Sequence, residues 1–407
     1  MLEAYQAKHG RPLKPVKIQD GKPVPQTEQC PFCKAPHQYL YYNDGKKRSQ
    51  LLCKICSSTF AADNRYKRAA KAKYYCPHCH SALYRWKIRL DVIMHKCGND
   101  NCPHRLNALQ KLNPKEQNIR PTKLSQFKLC YIYREYLFQA KDLIVPSPLK
   151  PTVDIRKIYN SPNVLGLILS FFISFALSAR KTAFIMQSVF GVYVSHKTVL
   201  NYAEAAAYYC HQFNLRFKGP IDDTSAGDET YIKIAGKNAF VFLFTSSKRH
   251  SITAYHVAND RETLPATITV NEAIRTADPD QKITLITDGN PSYPSAVMFL
   301  NSKRDEDHQI TLKQVIGLQN LDEISAEFRP FKQIIERLNG TFKYHVRSVR
   351  GFKASNGALV MTILIVTHYN FLRPHMSLDY KVPIEIPELQ TISTIQGRWA
   401  KILSMAT

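Results

Sequence analysis

Apolar and polar positions alternate with a different period in each part of this chain. In the first hundred residues, short aromatic and aliphatic runs such as Gln38–Tyr42 and Tyr84–Ile88 read as strands. From 160 to 215 the spacing is helical. Val164–Leu177 is an apolar run, Ala179–Phe190 is amphipathic, Gly191-Val192 supplies a turn, and Ser195 caps a second helix from His196 to Ala203. From Asp228 the pattern alternates: a hairpin turning at Gly236-Lys237 joins Thr230–Ala235 to Ala239–Thr245, and Ser251–Val257 is a third strand. A helix over Arg261–Thr276, a short strand over Lys282–Thr287 and a helix over Ser292–Leu300 follow, which is an α/β order. Phe331, Ile334, Ile335, Leu338 and Phe342 form one stripe of a further helix, and Ala358–Val366 is apolar enough for a buried one. Ser302–Phe328 is polar and poorly periodic, so it predicts a surface insertion at about 302–328. Leu124–Phe138 has no clean period.

At 407 residues the chain predicts two to four domains, and 44% hydrophobic residues allow real cores. The net charge of +24 is uneven: residues 1–150 hold 28 Lys+Arg against 10 Asp+Glu, and the remaining 257 hold 28 against 22. A basic front on a nearly balanced back points to a polyanion-binding module joined to something else. Ribosomal and membrane-surface proteins share that bias. Val164–Leu177 is 14 residues long, short of the roughly 20 that a membrane helix needs, so it predicts a buried helix and no membrane partner. With no secretory signal and cysteines expected to be reduced, the location expected is cytoplasmic.

Eight of the ten cysteines fall into four close pairs: Cys30 with Cys33, Cys53 with Cys56, Cys76 with Cys79, and Cys97 with Cys102. Each pair can offer two thiolates to one tetrahedral ion, and pairs about 20 residues apart give zinc-ribbon spacing. Two structural Zn2+ ions are expected; disulfides and a redox C-x-x-C are the competing readings. His78, His80, His95 and His104 are nearby alternative ligands. Lys46–Arg48 and Arg65–Arg68 bring charge for phosphate contact, or only a soluble basic surface.

Three acids stand out in the second half. Asp288 ends a β-rich run just before Gly289-Asn290-Pro291, a usual place for a catalytic ligand. Asp228 shares the apolar face of its strand with Thr230, Ile232 and Ile234, where an unpaired carboxylate is costly unless a cation compensates it. Glu336, Asn339 and Lys343 share one polar helix face, which is in most helices no more than a solvated face. These acids, with Thr287–Tyr293, Glu336–Lys343 and Tyr369–His375, resemble the DDE-type transposases of bacterial insertion sequences over roughly residues 160 to 385. Asp288 and Glu336 are separated by 47 residues where many relatives have nearer 35. Glu323 would give 34, but it lacks the downstream Asn and Lys, so Glu336 is the expected third acid.

The resemblance implies a ribonuclease-H-like core with Mg2+ or Mn2+ held by Asp228, Asp288 and Glu336, Asp228 bridging the two ions. It implies Lys343 at a terminal phosphate and Arg373 as a helper on DNA. The helix pair over 179–203 resembles the helix-turn-helix ahead of such cores, with His196, Lys197 and Asn201 toward the groove; an ordinary helical hairpin fits the same spacing. The organisation expected is multidomain: a flexible basic leader (1–26), zinc ribbons (27–60 and 71–107), a linker (108–150), a helical helix-turn-helix domain (151–215), an α/β ribonuclease-H-like catalytic core (222–350), and a C-terminal helix and tail (351–407). The activity implied is cutting and joining of DNA, with element ends and target DNA as partners, by a homo-oligomer, at least a dimer on DNA, near a prokaryotic nucleoid. A nuclease that never joins strands, and a DNA-binding regulator with a dead core, are the competing classes.

Overall fold

The computed structural model of the chain describes residues 2–17, 23–44, 50–61, 72–112, 129–315 and 323–407. The chain divides into two compact units, the first ending at Leu137 and the second beginning at Phe138.

The first unit is built on two three-stranded antiparallel sheets. β1 (Leu40–Tyr42), β2 (Gln50–Cys53) and β3 (Thr59–Ala61) make one; β4 (Leu83–Ile88), β5 (Val92–Cys97) and β6 (Ile132–Tyr136) make the other. Three of the four cysteine pairs sit on the same turn. The amide of the residue after the second cysteine donates back to the first cysteine's carbonyl, and that residue is left-handed: Lys34 (φ 58°), Ser57 (φ 57°) and His80 (φ 56°). The fourth pair is longer, and Cys102 there precedes helix α2 (Pro103–Gln110), for which Pro103 supplies a preset φ.

Two expected boundaries move. The leader is tied down: Leu2–His9 forms helix α1, Leu13 and Val24 are buried in the first ribbon's core, and the Val16 amide donates to the Gln38 carbonyl at 2.9 Å. Its few apolar residues are what a core this small lacks. Residues 132–136 of the expected linker are the third strand of the second ribbon's sheet, paired in register Val92↔Tyr136 to Lys96↔Ile132. Their lack of a clean period reflects a strand half-buried throughout.

The second unit surrounds a five-stranded sheet of order β11-β10-β7-β8-β9, made of β7 (Thr224–Ile234), β8 (Lys237–Ser246), β9 (Ile252–Ala258), β10 (Thr284–Thr287) and β11 (Thr311–Gln314). β7, β8 and β9 are antiparallel neighbours, while β10 and β11 run parallel to β7. The sheet is therefore mixed, and it fits the α/β order read from the sequence. The β7–β8 hairpin turns on Ala235 and Gly236, both at positive φ (48° and 77°), as a two-residue turn that keeps the sheet's twist requires. The proposed insertion at 302–328 is overturned. It contains β11, whose Thr-Leu-Lys-Gln sequence is polar because it forms the sheet's edge.

The helices are α3 (Pro162–Leu169), continued by a π-helical turn over Ser170–Ser174, α4 (Ala179–Phe190), α5 (His196–Arg216), α6 (Thr263–Ala273), α7 (Ser292–Asn301), α8 (Glu323–Arg347), α9 (Ser355–Phe371), α10 (Pro387–Gln390) and α11 (Ile395–Ala406). Among the described residues no helix is long and apolar enough to cross a membrane. Helices α3 to α5 do not form a domain of their own, contrary to expectation. Ile168, Val199, Ala206 and Phe213 share one core with Val241 and Leu243 of the sheet, Leu338 of α8, Ile363 of α9 and Trp399 of α11. Phe138 packs on Phe299 at 4.8 Å, and Leu149 donates to the Asn356 side chain at 2.9 Å, so residues from 138 onward belong to this unit.

Gly227 is fixed by what lies across the hairpin. Its cross-strand partner is Phe244, and a Cβ on Gly227 would stand 2.3 Å from that ring. Gly227→Ala is therefore expected to cost about 1–3 kcal/mol through overpacking. Gly340→Ala in α8, where a Cβ meets nothing within 4 Å, should be neutral or stabilise by up to about 1 kcal/mol. Thermal melts of the two variants check the contrast.

Candidate active site and metal centres

Parallel pairing of β7 and β10 builds the acidic site. Thr284 pairs with Thr224 and Ile286 with Ala226, so the same register carried two residues further sets Asp288 level with Asp228. Their carboxylate oxygens, with one from Glu229, lie within 4.8 Å of one another. Asp228 and Glu229 point to opposite faces of the sheet. Asp228 lies across from Leu243, on the face covered by α8, and its Oδ2 accepts from Asn339 Nδ2 at 3.1 Å. Glu229 lies across from Phe242, on the face where Phe242 and Phe244 pack on Tyr293 of α7. Asp288, beyond the end of its strand, is reached from both sides.

Glu229 is the residue that sequence reading missed. Alternation groups it with Tyr231 and Lys233, which are exposed, but at this end of the strand the loop after β10 covers it and it is buried. One carboxylate oxygen accepts from Asn290 Nδ2, and the other from Arg261 at 3.3 Å. Asn290 also donates its amide to Asp288 Oδ1 at 3.0 Å, and the Arg261 guanidinium is 3.8 Å from Asp288 Oδ2. Glu229 thus grips the Asp288 loop by two routes. Nothing in the local pattern marks that role.

Electrostatically the cluster is short of cations. Burial and then Asp288 push Asp228 above its ordinary value, and the same two causes push Glu229 up to about 7. Arg261 offsets part of the repulsion on Glu229, and Lys332 part of it on Asp228. A divalent cation held by carboxylate oxygens, the donor set that Mg2+ prefers, would relieve the rest.

The other expected site residues are more dispersed. Glu336 lies one helical turn before Asn339, close enough for its charge to raise Asp228, but outside the 4.8 Å group. Its side chain is 46% exposed and lies 4.0 Å from Lys332. Glu323 opens the same helix thirteen residues earlier, about 20 Å along the axis at 1.5 Å per residue. Lys343 is exposed two turns beyond Glu336. Arg373 follows α9 and donates to Thr341 Oγ1 at 3.3 Å; with Gly340, Tyr344, His345 and His368 it lines a cavity of about 570 Å³. His196 and Lys197 are exposed on the first turn of α5, whereas Asn201 is half-buried. That helix runs 21 residues, well past the expected end at Ala203, and its later turns are core.

Both four-cysteine groups are assembled. Sγ–Sγ distances are 3.5 Å for Cys30–Cys56, 3.6 Å for Cys33–Cys53, 3.8 Å for Cys76–Cys102 and 3.5 Å for Cys79–Cys97. Disulfides would require about 2.05 Å, and all ten cysteines are free. Four thiolates about 2.3 Å from one zinc ion stand roughly 3.8 Å apart, so both groups fit that ion. The four nearby histidines make other contacts: His78 stacks on His104, His80 packs on Phe32 at 4.8 Å, and His95 bonds Glu135 at 2.9 Å. The basic runs at 46–48 and 65–68 lie outside the described residues.

Residues 224–364 match the family model of the transposase DDE domain. Solved structures also align, among them these two. The HTLV-2 integrase catalytic core domain, solved in complex with magnesium, is 12% identical; the alignment covers 40% of this chain and 94% of that one, with a TM-score of 0.28. The simian T-cell lymphotropic virus intasome, solved in complex with PP2A regulatory subunit B56 gamma, is also 12% identical, over 57% of this chain and 78% of that one, with a TM-score of 0.29. No curated protein sequence matches the chain.

Two outcomes are expected. Asp228→Asn removes one of three crowded charges. Because burial and Asp288 raise the pKa of Asp228, its charged form costs stability at neutral pH, and the variant should melt about 2–4 °C higher in buffer without divalent cations. Added Mn2+ should raise the wild-type melting temperature and leave that of Asp228→Asn unchanged. Separately, protein purified without chelator should carry about two tightly held zinc ions per chain by elemental analysis.

Proposed function

We propose that this chain, whose residues 224–364 carry a transposase DDE domain, binds the ends of an insertion sequence, cuts them in a metal-dependent reaction and joins them to target DNA. The observation that carries this reading is the levelling of Asp228 and Asp288 by the β7–β10 register, with helix α8 tied to the same point through Asn339. That contact favours Glu336 over Glu323 as the third acid, since only Glu336 lies within one turn of it.

Asp228, Asp288 and Glu336 would hold two Mg2+ or Mn2+ ions. Such ions, when bound, supply a clamp on the attacking and leaving oxygens of an in-line displacement. The chain's own residues do the rest. Asn339 orients Asp228 from one face of the sheet, while Glu229, Asn290 and Arg261 hold Asp288 from the other. Lys343, which is exposed, would meet a terminal phosphate, with Arg373 as a helper on DNA. Water attacks phosphorus at the element end and a 3′-hydroxyl leaves. That hydroxyl then attacks a target phosphodiester, and a second 3′-hydroxyl is released. Zinc in the two ribbons would supply the cross-links that their small cores need. His196, Lys197 and Asn201 would contact DNA, most directly through the two exposed side chains. The working form is a homo-oligomer, at least a dimer on DNA, in a prokaryotic cytoplasm.

Purified variants, labelled element-end DNA and Mg2+ or Mn2+ test this. Glu336→Gln keeps the shape and removes the charge, so cleavage should fall by several orders of magnitude while end binding survives. Glu323→Gln should be nearly silent, and Lys343→Ala should fall between the two. Cleavage that survives Glu336→Gln and is lost in Glu323→Gln would overturn the assignment. Cleavage without joined products would leave a nuclease.

A further inference from the structure

We infer that the outer strand of the second ribbon, centred on Trp86, is a stacking site for unpaired bases of single-stranded DNA. β4 is an edge strand of its sheet. Leu83 is buried, but each of the next five residues is exposed: Tyr84 by 47%, Trp86 by 40% and Ile88 by 67%, with Arg85 and Lys87 between them. Leu90, just past the strand, is 77% exposed. The register against β5 slips between Arg85 and Lys87, which makes Trp86 the extra residue of a β-bulge. Bulges re-aim a side chain, and this one carries an indole. Two cations lie over the ring: Lys87 Nζ is 4.4 Å and Lys96 Nζ 5.0 Å from its centroid.

Simpler readings account for only part of this. Charges on an edge strand block pairing with another sheet, which would explain Arg85 and Lys87. The same logic disfavours exposed Tyr84, Trp86 and Ile88 on that strand. Cation–π contacts would explain why the lysines lie against the indole, but not why the apolar side chains beside it remain uncovered. A protein partner covering the strand would have to desolvate Arg85, Lys87 and Lys96. Duplex DNA needs the cations alone, since its base faces are hidden in the stack. Exposed aromatic side chains beside cations suit unstacked bases, with the neighbouring phosphates on the lysines. The site belongs to the first unit and does not depend on the acidic cluster, so it stands or falls apart from the reaction proposed above.

The chain supplies its own probe. It has two tryptophans, and Trp399 is fully buried with its indole N–H donating to Ser174 Oγ at 3.0 Å. Changes in emission on adding DNA therefore report Trp86. The full chain, with zinc and without Mg2+, is titrated with oligothymidylate and with a duplex of equal length. Oligothymidylate is expected to quench emission. Trp86→Ala should bind it about tenfold more weakly, with duplex affinity nearly unchanged. Trp86→Tyr should recover most of the loss, and Lys87→Ala should lower the salt slope by about one. Wild-type emission unchanged by bound oligothymidylate, equal loss of single-strand and duplex affinity in Trp86→Ala, or tighter binding of oligouridylate would each overturn the assignment. Should Trp86→Ala lose zinc, the wild-type quench and the Trp86→Tyr affinity decide.

Discussion

The acidic site depends on one register. β7 and β10 are neighbours only because the chain crosses from β9 through α6 and returns parallel to its first strand. A slip of one residue would turn Asp288 away from Asp228. The pairing is held by buried residues on both strands, Ala226 on β7 and Leu285 and Ile286 on β10. Strand β8 flanks β7 on its other side, where the Phe244 ring occupies the space that Gly227 leaves. Core packing thus fixes the site more firmly than the acids do, since like charges at this distance repel.

That repulsion is the cost of the arrangement. Three carboxylates share a partly buried space with Arg261 and Lys332 as the nearby cations, and Glu229 is pushed up to about 7 mainly by burial and Asp288. A fold that keeps such a group tolerates strain that cation binding would release. Polar partners hold the acids with their oxygens within 4.8 Å of one another: Asn339 on Asp228 from one face, Asn290 and Arg261 on Glu229 and Asp288 from the other. Helix α8 can supply Asn339 because Ile335, Leu338 and Phe342, on the adjoining face, are buried in the core and seat the helix on the sheet.

The first unit solves a different problem. Its two sheets are too small to bury much apolar surface, and eight thiols occupy positions that a larger domain would give to aliphatic side chains. The left-handed residues Lys34, Ser57 and His80 close the turns that converge the thiols. Among the described residues, the apolar side chains Tyr84, Trp86 and Ile88 on β4 are exposed.

Sequence alone determined what depends on local spacing. The four cysteine pairs, the hairpin at Gly236, the amphipathic helices and the resemblance carried by Asp228, Asp288 and Glu336 could all be read there, because each is a short pattern with its own physics. The α/β order was legible from the succession of strands and helices, though not the parallel pairing of β10 and β11. Tertiary structure decided the rest. β11 was hidden because an edge strand carries no apolar signature, and β6 because it is half-buried throughout. Helices α3 to α5 looked like a separate domain, since an apolar stripe does not say which core it enters; they enter the same core as the sheet. Glu229 could be placed only on the face opposite Asp228, because alternation assigns a face but not what covers it. Its burial comes from the loop after β10, whose Asn290 lies 61 residues further along the chain. No local pattern contains that contact, because it exists only once two distant strands have paired.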